Sequence, residues 1–173
     1  VKEYVEHTLP PVYNADSVVL VLGTMPSPKS REYGFYYSHP QNRFWPVLAD
    51  LYGTPLPHSP EEKTEFLYRH GIALWDVLKS CRIDGADDGS IQEPVPNDIA
   101  GLLAKTQIRA VFTTGTKAAS LYRRFCRLSA GPAIALPSTS PANCRHYNFE
   151  KLKEAYRILL RYTGTEITPA PRW

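Results

Sequence analysis

Three cysteines, Cys81, Cys126 and Cys144, are spread over the 173 residues with no CxxC pair. An odd number at wide spacing argues against a disulfide framework or a zinc site, and a four-cysteine iron–sulfur site is out of reach. Reduced thiols in a cytoplasmic protein are expected. No stretch approaches the ~18 apolar residues of a membrane span. Residues 1–17, VKEYVEHTLPPVYNADS, hold no apolar core of signal-peptide type. No GxxxxGK[ST] and no GxGxxG follows an apolar run, which argues against a nucleoside triphosphate or dinucleotide site. Charge of one sign is scarce too. Twenty Lys and Arg against seventeen Asp and Glu leave a formal +3, which suits contact with a few phosphates better than coating of a polyanion. Four aspartates, Asp76, Asp84, Asp87 and Asp88, fall within 74–91. Their spacing does not match the Asp-x-Asp-x-Asp-Gly calcium loop. A solvated acidic loop is expected there, with Asp88 and Ser90 near the rim of any site.

The length allows one domain with a real core, and a single domain over 1–173 with a loosely held tail at 164–173 is expected. Continuous apolar, β-branched runs read as buried parallel strands at 17–24 (SVVLVLGT), 71–78 (GIALWDVL), 108–115 (IRAVFTTG) and 131–141 (GPAIALPSTSP). Helical patterns lie between them. Ser59, Pro60 and Glu62 form a capping-box start that runs to Gly71. A helix from Asn97 presents Ile99, Leu102 and Leu103. Another is capped by Thr116, with Leu121, Tyr122, Phe125 and Leu128 on one stripe. A last helix runs from Asn148 to Gly164, with Phe149, Leu152, Tyr156, Leu159 and Leu160 inward. Residues 42–53 read as a short helix that tolerates Pro46 only in its first turn. Strand and helix thus alternate, which predicts an α/β fold: a three-layer α/β/α sandwich around a small parallel sheet of about four strands.

Ligands of such sheets bind beyond the carboxyl ends of the strands. That rule selects loops beginning near Gly23, Asp76, Gly115 and Pro137. The first, GTMPSPKSREYGFYYSHPQNRFW (23–45), combines a small-residue turn with Phe35, Tyr36, Tyr37, His39, Asn42, Phe44 and Trp45. Gly23, Thr24, Met25 and Pro26 let a ligand approach the backbone. A flat ring grips a base by stacking, and an Asn amide offers a donor and an acceptor together. Phe44 and Trp45 are expected in the core, and Asn42 also fits a helix N-cap. The fourth loop, LPSTSPAN (136–143), brackets Ser138, Thr139 and Ser140 between Pro137 and Pro141 and closes on Asn143. Such a stiff loop loses little entropy on binding, and its hydroxyls suit phosphate oxygens. Arg145 and His146 add charge just beyond. In the third loop, Lys117 and the N–H groups at 113–120 offer a weaker phosphate site.

Taken together and in order, GTMPS, YYSHPQNRFW and LPSTSPAN resemble the uracil-DNA glycosylase superfamily over roughly residues 17–147. HPQNRFW is similar to a segment of the mismatch-specific uracil/thymine branch, and the three motifs together look closest to the hypoxanthine (deoxyinosine) branch. The resemblance implies hydrolysis of the N-glycosidic bond of a deaminated base in DNA by base flipping, without metal or cofactor, by a monomer. It implies a catalytic role for Asn42 and a stacking role for Tyr37. It implies a base pocket from Gly23, Thr24, Met25, Pro26, Tyr36, Tyr37 and His39, and DNA contacts from Ser138, Thr139, Ser140, Pro141, Asn143 and Arg145. Two positions depart from the pattern. Met25, the single methionine, stands where the mismatch branch carries Asn, and Leu136 stands where uracil-specific enzymes carry His. Two other readings stay open: a hydrolase of free nucleosides or nucleotides, and a module that binds altered DNA without cutting it.

Overall fold

The computed structural model describes residues 1–164. Nearly all of the tail expected to be loosely held, residues 165–173, lies outside the described residues. In chain order the elements are β1 (Glu3–Glu6), β2 (Val19–Gly23), α1 (Pro28–Tyr33), α2 (Phe44–Tyr52), α3 (Pro60–His70), β3 (Ile72–Asp76), β4 (Leu78–Asp84) and β5 (Asp87–Pro96). Then follow α4 (Ile99–Ala104), β6 (Ala110–Thr114), α5 (Thr116–Phe125), α6 (Arg127–Ala130), β7 (Ile134–Leu136), a 3-10 turn (Pro141–Asn143), α7 (Phe149–Tyr156) and α8 (Ile158–Thr163).

The four apolar runs form one parallel sheet in the order β3-β2-β6-β7. β2 has neighbours on both sides and is buried at every residue, which is why its sequence is continuously apolar rather than alternating. Its side chains nevertheless divide by parity. Val19 and Val21 enter a core with Phe44, Leu48, Leu67, Leu152 and Tyr156 from α2, α3 and α7. Leu20 and Leu22 enter the opposite core with Ile99, Leu102, Leu121 and Tyr122 from α4 and α5. Helices on both faces of the sheet make the three layers expected. Each fully buried Leu or Val contributes about 1.5–3 kcal/mol relative to exposure.

A second sheet was not foreseen. β1, β4 and β5 form an antiparallel unit in the order β1-β4-β5, beside the second core. The stretch read as an acidic loop is the tight end of the β4–β5 hairpin, with Gly85 at positive φ in its turn. Leu78, Cys81 and Ile83 on β4 are buried at two- and three-residue spacing, because bulges shift the ladder. Those bulges are why no clean alternation marks this strand in the sequence.

Helix ends differ in detail from the sequence reading. Ser59 and Glu62 do form the reciprocal capping box of α3. Pro46 is the third residue of α2, inside the first turn, where a missing N–H costs nothing. Asp98, not Asn97, caps α4, because the Asn97 amide instead donates to the carbonyls of Asp76 and Leu78. Gly115 at φ 92° takes the N-cap of α5, and Thr116 is its first helical residue. The stripe through α5 stops at Cys126, where the chain turns into α6 and leaves Leu128 fully exposed. The last helix breaks at Arg157 into α7 and α8, yet Leu152, Tyr156, Leu159 and Leu160 are all buried as expected.

Candidate active site

The loops after β2 and β7, the last residues of β3 and β6 (Asp76 and Thr114) and the β4–β5 hairpin converge on one cavity of about 340 Å³ at the carboxyl edge of the parallel sheet. That lies at the small end of the ~300–1,000 Å³ typical of small-molecule sites. Thr24, Met25 and Pro26 line it from the first loop, and Ser138, Thr139, Ser140 and Pro141 from the fourth. The two most unusual segments of the sequence therefore face each other across the same space.

Tyr37 is set by an aromatic stack. Its ring lies flat on Phe44, with centroids 3.9 Å apart and planes at 14°. Phe44 is fully buried as the first residue of α2, so the stack is anchored in the core. Tyr37 borders the cavity, has φ 54°, and shares a 3.2 Å hydrogen bond between its hydroxyl and that of Thr114. A left-handed backbone is strained for an aromatic residue and is held here by the stack and the hydroxyl contact. Burial, and after it the charge of Asp76, pushes the Tyr37 hydroxyl well above its usual range, so it stays a neutral donor. The space beside it depends on Gly23. A Cβ at Gly23 would stand 2.6 Å from Asp76 Oδ1 and 3.2 Å from the Tyr37 hydroxyl.

Tyr36 and His39 also border the cavity, but Tyr36 is built into the core. It is 2% exposed, and its hydroxyl donates to the Pro10 carbonyl at 2.8 Å. Phe35 and Trp45 pack beneath it as core, with the Trp45 indole N–H donating to the Tyr36 carbonyl.

Asn42 lies at the junction of the two loops. Its Oδ1 accepts from the Phe44 N–H at 2.9 Å and from the Thr139 hydroxyl at 2.8 Å. A backbone N–H can only donate, so the oxygen must face it, and both acceptor lone pairs are then engaged. The NH2 group remains, and the residue lines the cavity. The side chain acts as a cap through an Asx turn on Phe44, although the N-cap position belongs to Arg43. Arg43 fastens the same junction: its N–H donates to the Thr139 carbonyl at 3.1 Å and its guanidinium to the Tyr147 carbonyl.

The fourth loop is rigidly tied. The Asn143 amide donates to the Ser138 carbonyl at 3.0 Å, and the Ser140 hydroxyl caps the 3-10 turn. Asn143 is thus a brace that does not line the cavity, while Arg145 is exposed beyond it. Leu136 is 5% exposed and packs in the core at the end of β7, and Met25 lines the cavity with a thioether. Neither position supplies a polar group.

Two groups that the sequence reading left outside the site, Asp76 and His7, are part of it or hold it, and Asp88, expected near its rim, lines it. Asp76, the last residue of β3, is 3% exposed and lines the cavity. Its Oδ2 lies 2.7 Å from Nε2 of His7, and both side chains are buried. His7 follows β1 in a segment that carried no motif, so no signal in the sequence marked it. Asp88, from the β4–β5 hairpin, also lines the cavity and reaches the Thr24 hydroxyl at 3.5 Å. Desolvation pushes its carboxyl up, opposed by the charge of Lys117. Ser90 is not at the cavity; its hydroxyl takes the Asp84 N–H and donates to the Asp87 carbonyl, closing the hairpin. Among the described residues no three His, Cys, Asp or Glu side chains converge as a metal site would require, and no helix is long and apolar enough to cross a membrane.

The family model of the uracil DNA glycosylase superfamily matches residues 10–161. A hypoxanthine DNA glycosylase of Methanosarcina acetivorans is 31% identical over 153 residues, covering 87% of this chain and 94% of its own length. A hypoxanthine DNA glycosylase of Methanosarcina barkeri is 31% identical over 144 residues, covering 82% of this chain and 90% of its own. Among solved structures, the solution NMR structure of a uracil DNA glycosylase candidate from Methanosarcina acetivorans superposes with a TM-score of 0.75 at 28% identity, over 91% of this chain and 99% of that one. The paired loops at the carboxyl edge of the sheet and the match along most of the sequence lead to one conclusion: this chain belongs to the uracil DNA glycosylase superfamily.

Proposed function

We propose that this chain is a monofunctional DNA glycosylase that hydrolyses the N-glycosidic bond of a deaminated base in DNA, hypoxanthine first and uracil as a second substrate. Similarity to two hypoxanthine DNA glycosylases supports the choice of base. The observation that carries the reaction is the orientation of Asn42, whose oxygen is occupied twice and whose NH2 is left for the cavity.

The target nucleotide leaves the duplex at a cost of a few kcal/mol, lowest for a mispaired base. Its ring stacks on Tyr37, whose other face rests on Phe44. As the glycosidic bond lengthens, positive charge develops on the sugar and negative charge on the base. Asn42 donates its N–H to an acceptor on the departing base, a preorganised donor aimed at developing charge. Backbone along Thr24, Met25 and Pro26 closes the opposite wall. Ser138, Ser140 and Pro141 border the cavity beside Thr139, whose buried hydroxyl is committed to Asn42, so the Ser138 and Ser140 hydroxyls and exposed Arg145 meet phosphates. Among the described residues no lysine lines the cavity, which favours direct hydrolysis by water over a Schiff base. Lys29, the nearest lysine in sequence, is paired with Glu32.

The test is an excision panel: single- and double-stranded oligonucleotides carrying hypoxanthine, uracil, xanthine or normal bases, assayed under single turnover for abasic product. Alkali-labile sites at hypoxanthine are expected. Turnover of free deoxyinosine with intact DNA would instead identify a nucleoside hydrolase. Salt-sensitive binding with no abasic product at excess protein would identify a binding module.

A further inference from the structure

Direct hydrolysis needs a group that receives a proton from the attacking water, and neither an amide nor a protonated phenol is a base. The cavity has two walls, one from each core. Tyr36 and Tyr37 pack with the first core, and Asn42 stands on the same side, just before α2. Met25 and Ile83 pack with the second core, on the other face of the sheet, and the β4–β5 hairpin extends that wall with Gly85, Ala86 and Asp88. A base that stacks on Tyr37 and bonds Asn42 lies against the first wall. Water attacks C1′ from the side opposite to the departing base, so it arrives from the second wall. That wall carries one group that takes a proton. Met25 is a thioether, and the Ser27 hydroxyl donates to that of Ser30. Asp88 is a carboxylate whose Oδ2 accepts from the Thr24 hydroxyl at 3.5 Å, while Oδ1 accepts no hydrogen bond from the described residues. The other candidate bases among the described residues at the cavity are engaged: Asp76 is joined to His7 at 2.7 Å, and Nδ1 of His39 takes the Gln41 N–H.

Resting on the glycosylase reading above, we propose that Asp88 is the general base of the reaction, taking a proton from the water that attacks C1′. One O–H bond of the water breaks and its proton goes to Oδ1 of Asp88. The water oxygen forms the new bond to C1′. The electron pair of the C1′–N bond leaves with the base, on N9 of hypoxanthine or N1 of uracil. The base anion, held by the Asn42 N–H, takes a proton from solvent, and Asp88, an exposed residue, returns its own to solvent. The surroundings of the carboxyl suit this role. Desolvation pushes it up, opposed by Lys117 from α5 and by the Thr24 hydroxyl, and Asp76 from β3 and Asp87 beside it push it up further. Cys81 on β4 is the remaining titratable group that feels its charge. A carboxylate raised toward the operating pH is a stronger base than an ordinary one.

The test is single-turnover excision of hypoxanthine from an oligonucleotide by the full chain, at saturating protein and across a pH series. The wild type should lose rate in acid along a one-proton limb that lies above the usual carboxylate range. Asp88→Asn keeps the shape and cannot take the proton. It should excise about 10²-fold more slowly at pH 7 and lose that limb, with no fall in the thermal midpoint. Lys117→Ala removes the cation that holds the carboxyl down and should move the limb to higher pH, a readout that stands even if Asp88→Asn does not fold. A wild-type rate in Asp88→Asn, an acid limb that persists there, or a limb that stays in place in Lys117→Ala overturns the proposal and leaves the glycosylase reading intact. If Asp88 only repels phosphates, Asp88→Asn will bind DNA more tightly at an unchanged saturated rate, which also overturns it. Excision of no deaminated base by the wild type overturns both.

Discussion

Asn42 illustrates how one side chain is given its chemistry by its neighbours. An asparagine in a loop can donate or accept, and the sequence alone left both roles open. The Phe44 N–H and the Thr139 hydroxyl consume the acceptor, so only donation remains. This also divides the effects of substitution. Asn42→Ala removes the donor and strands two buried partners, so excision should fall and the midpoint of thermal unfolding should drop by about 3–10 °C, from ~1–3 kcal/mol of lost satisfaction. Asn42→Asp keeps both acceptor bonds and deletes the donor. It should unfold within a few degrees of wild type yet excise at least about 10²-fold more slowly in single-turnover assays. Equal rates for Asn42→Asp and wild type would remove Asn42 from the chemistry. For Tyr37, the expected loss in Tyr37→Ala is ~1–3 kcal/mol of stacking, read as an increase of about 5- to 150-fold in the substrate concentration for half-maximal single-turnover rate.

At the scale of elements, the site consists of strand ends and the turns that leave them. Gly23 is small because the Asp76 carboxylate occupies the place of its side chain, only 2.6 Å from a Cβ there. Gly23→Ala should therefore abolish detectable excision through displacement of Asp76, and circular dichroism should show secondary structure retained. The β4–β5 hairpin contributes Asp88, whose folded carboxyl is raised by desolvation. A raised carboxyl is better tolerated protonated, so its contribution is favourable in acid and lost as pH rises through the folded value. Asp88→Asn should raise the thermal midpoint at pH 7 and give no gain near pH 3; a gain of equal size at both would show that its charge is not the cause. Leu128 makes the opposite point about α5. It continues the apolar stripe in sequence, but the chain turns at Cys126 and leaves it exposed, so Leu128→Lys should shift stability by no more than about 0.5 kcal/mol in denaturant titration.

Across the whole molecule, a net charge of +3 is spread thinly, and the groups at the cavity entrance are mainly hydroxyls. Affinity for DNA should then depend only moderately on salt, with a slope of log K on log salt of about −2 to −4 for two to four neutralised phosphates. Fluorescence anisotropy over a salt series measures it, and Arg145→Ala should flatten it by about 1 if that side chain meets a phosphate. A slope near −10 would mean a far larger basic surface than the loops at 23–45 and 136–145 provide.

The sequence by itself determined the parallel sheet, because strands buried on both faces must be apolar throughout, and the capping box and glycine stops are local bonds between near neighbours. It also marked both loops of the site, since proline, hydroxyl and aromatic chemistry at strand ends has no use in a core. It did not mark the second sheet, whose bulged β4 breaks the two-residue period, or the direction of the Asn42 amide, which depends on Thr139 from another loop. Least visible was His7–Asp76, two ordinary residues 69 positions apart joined at 2.7 Å. Contacts of that kind are created when separate segments pack, and only the tertiary structure decides which donor meets which acceptor.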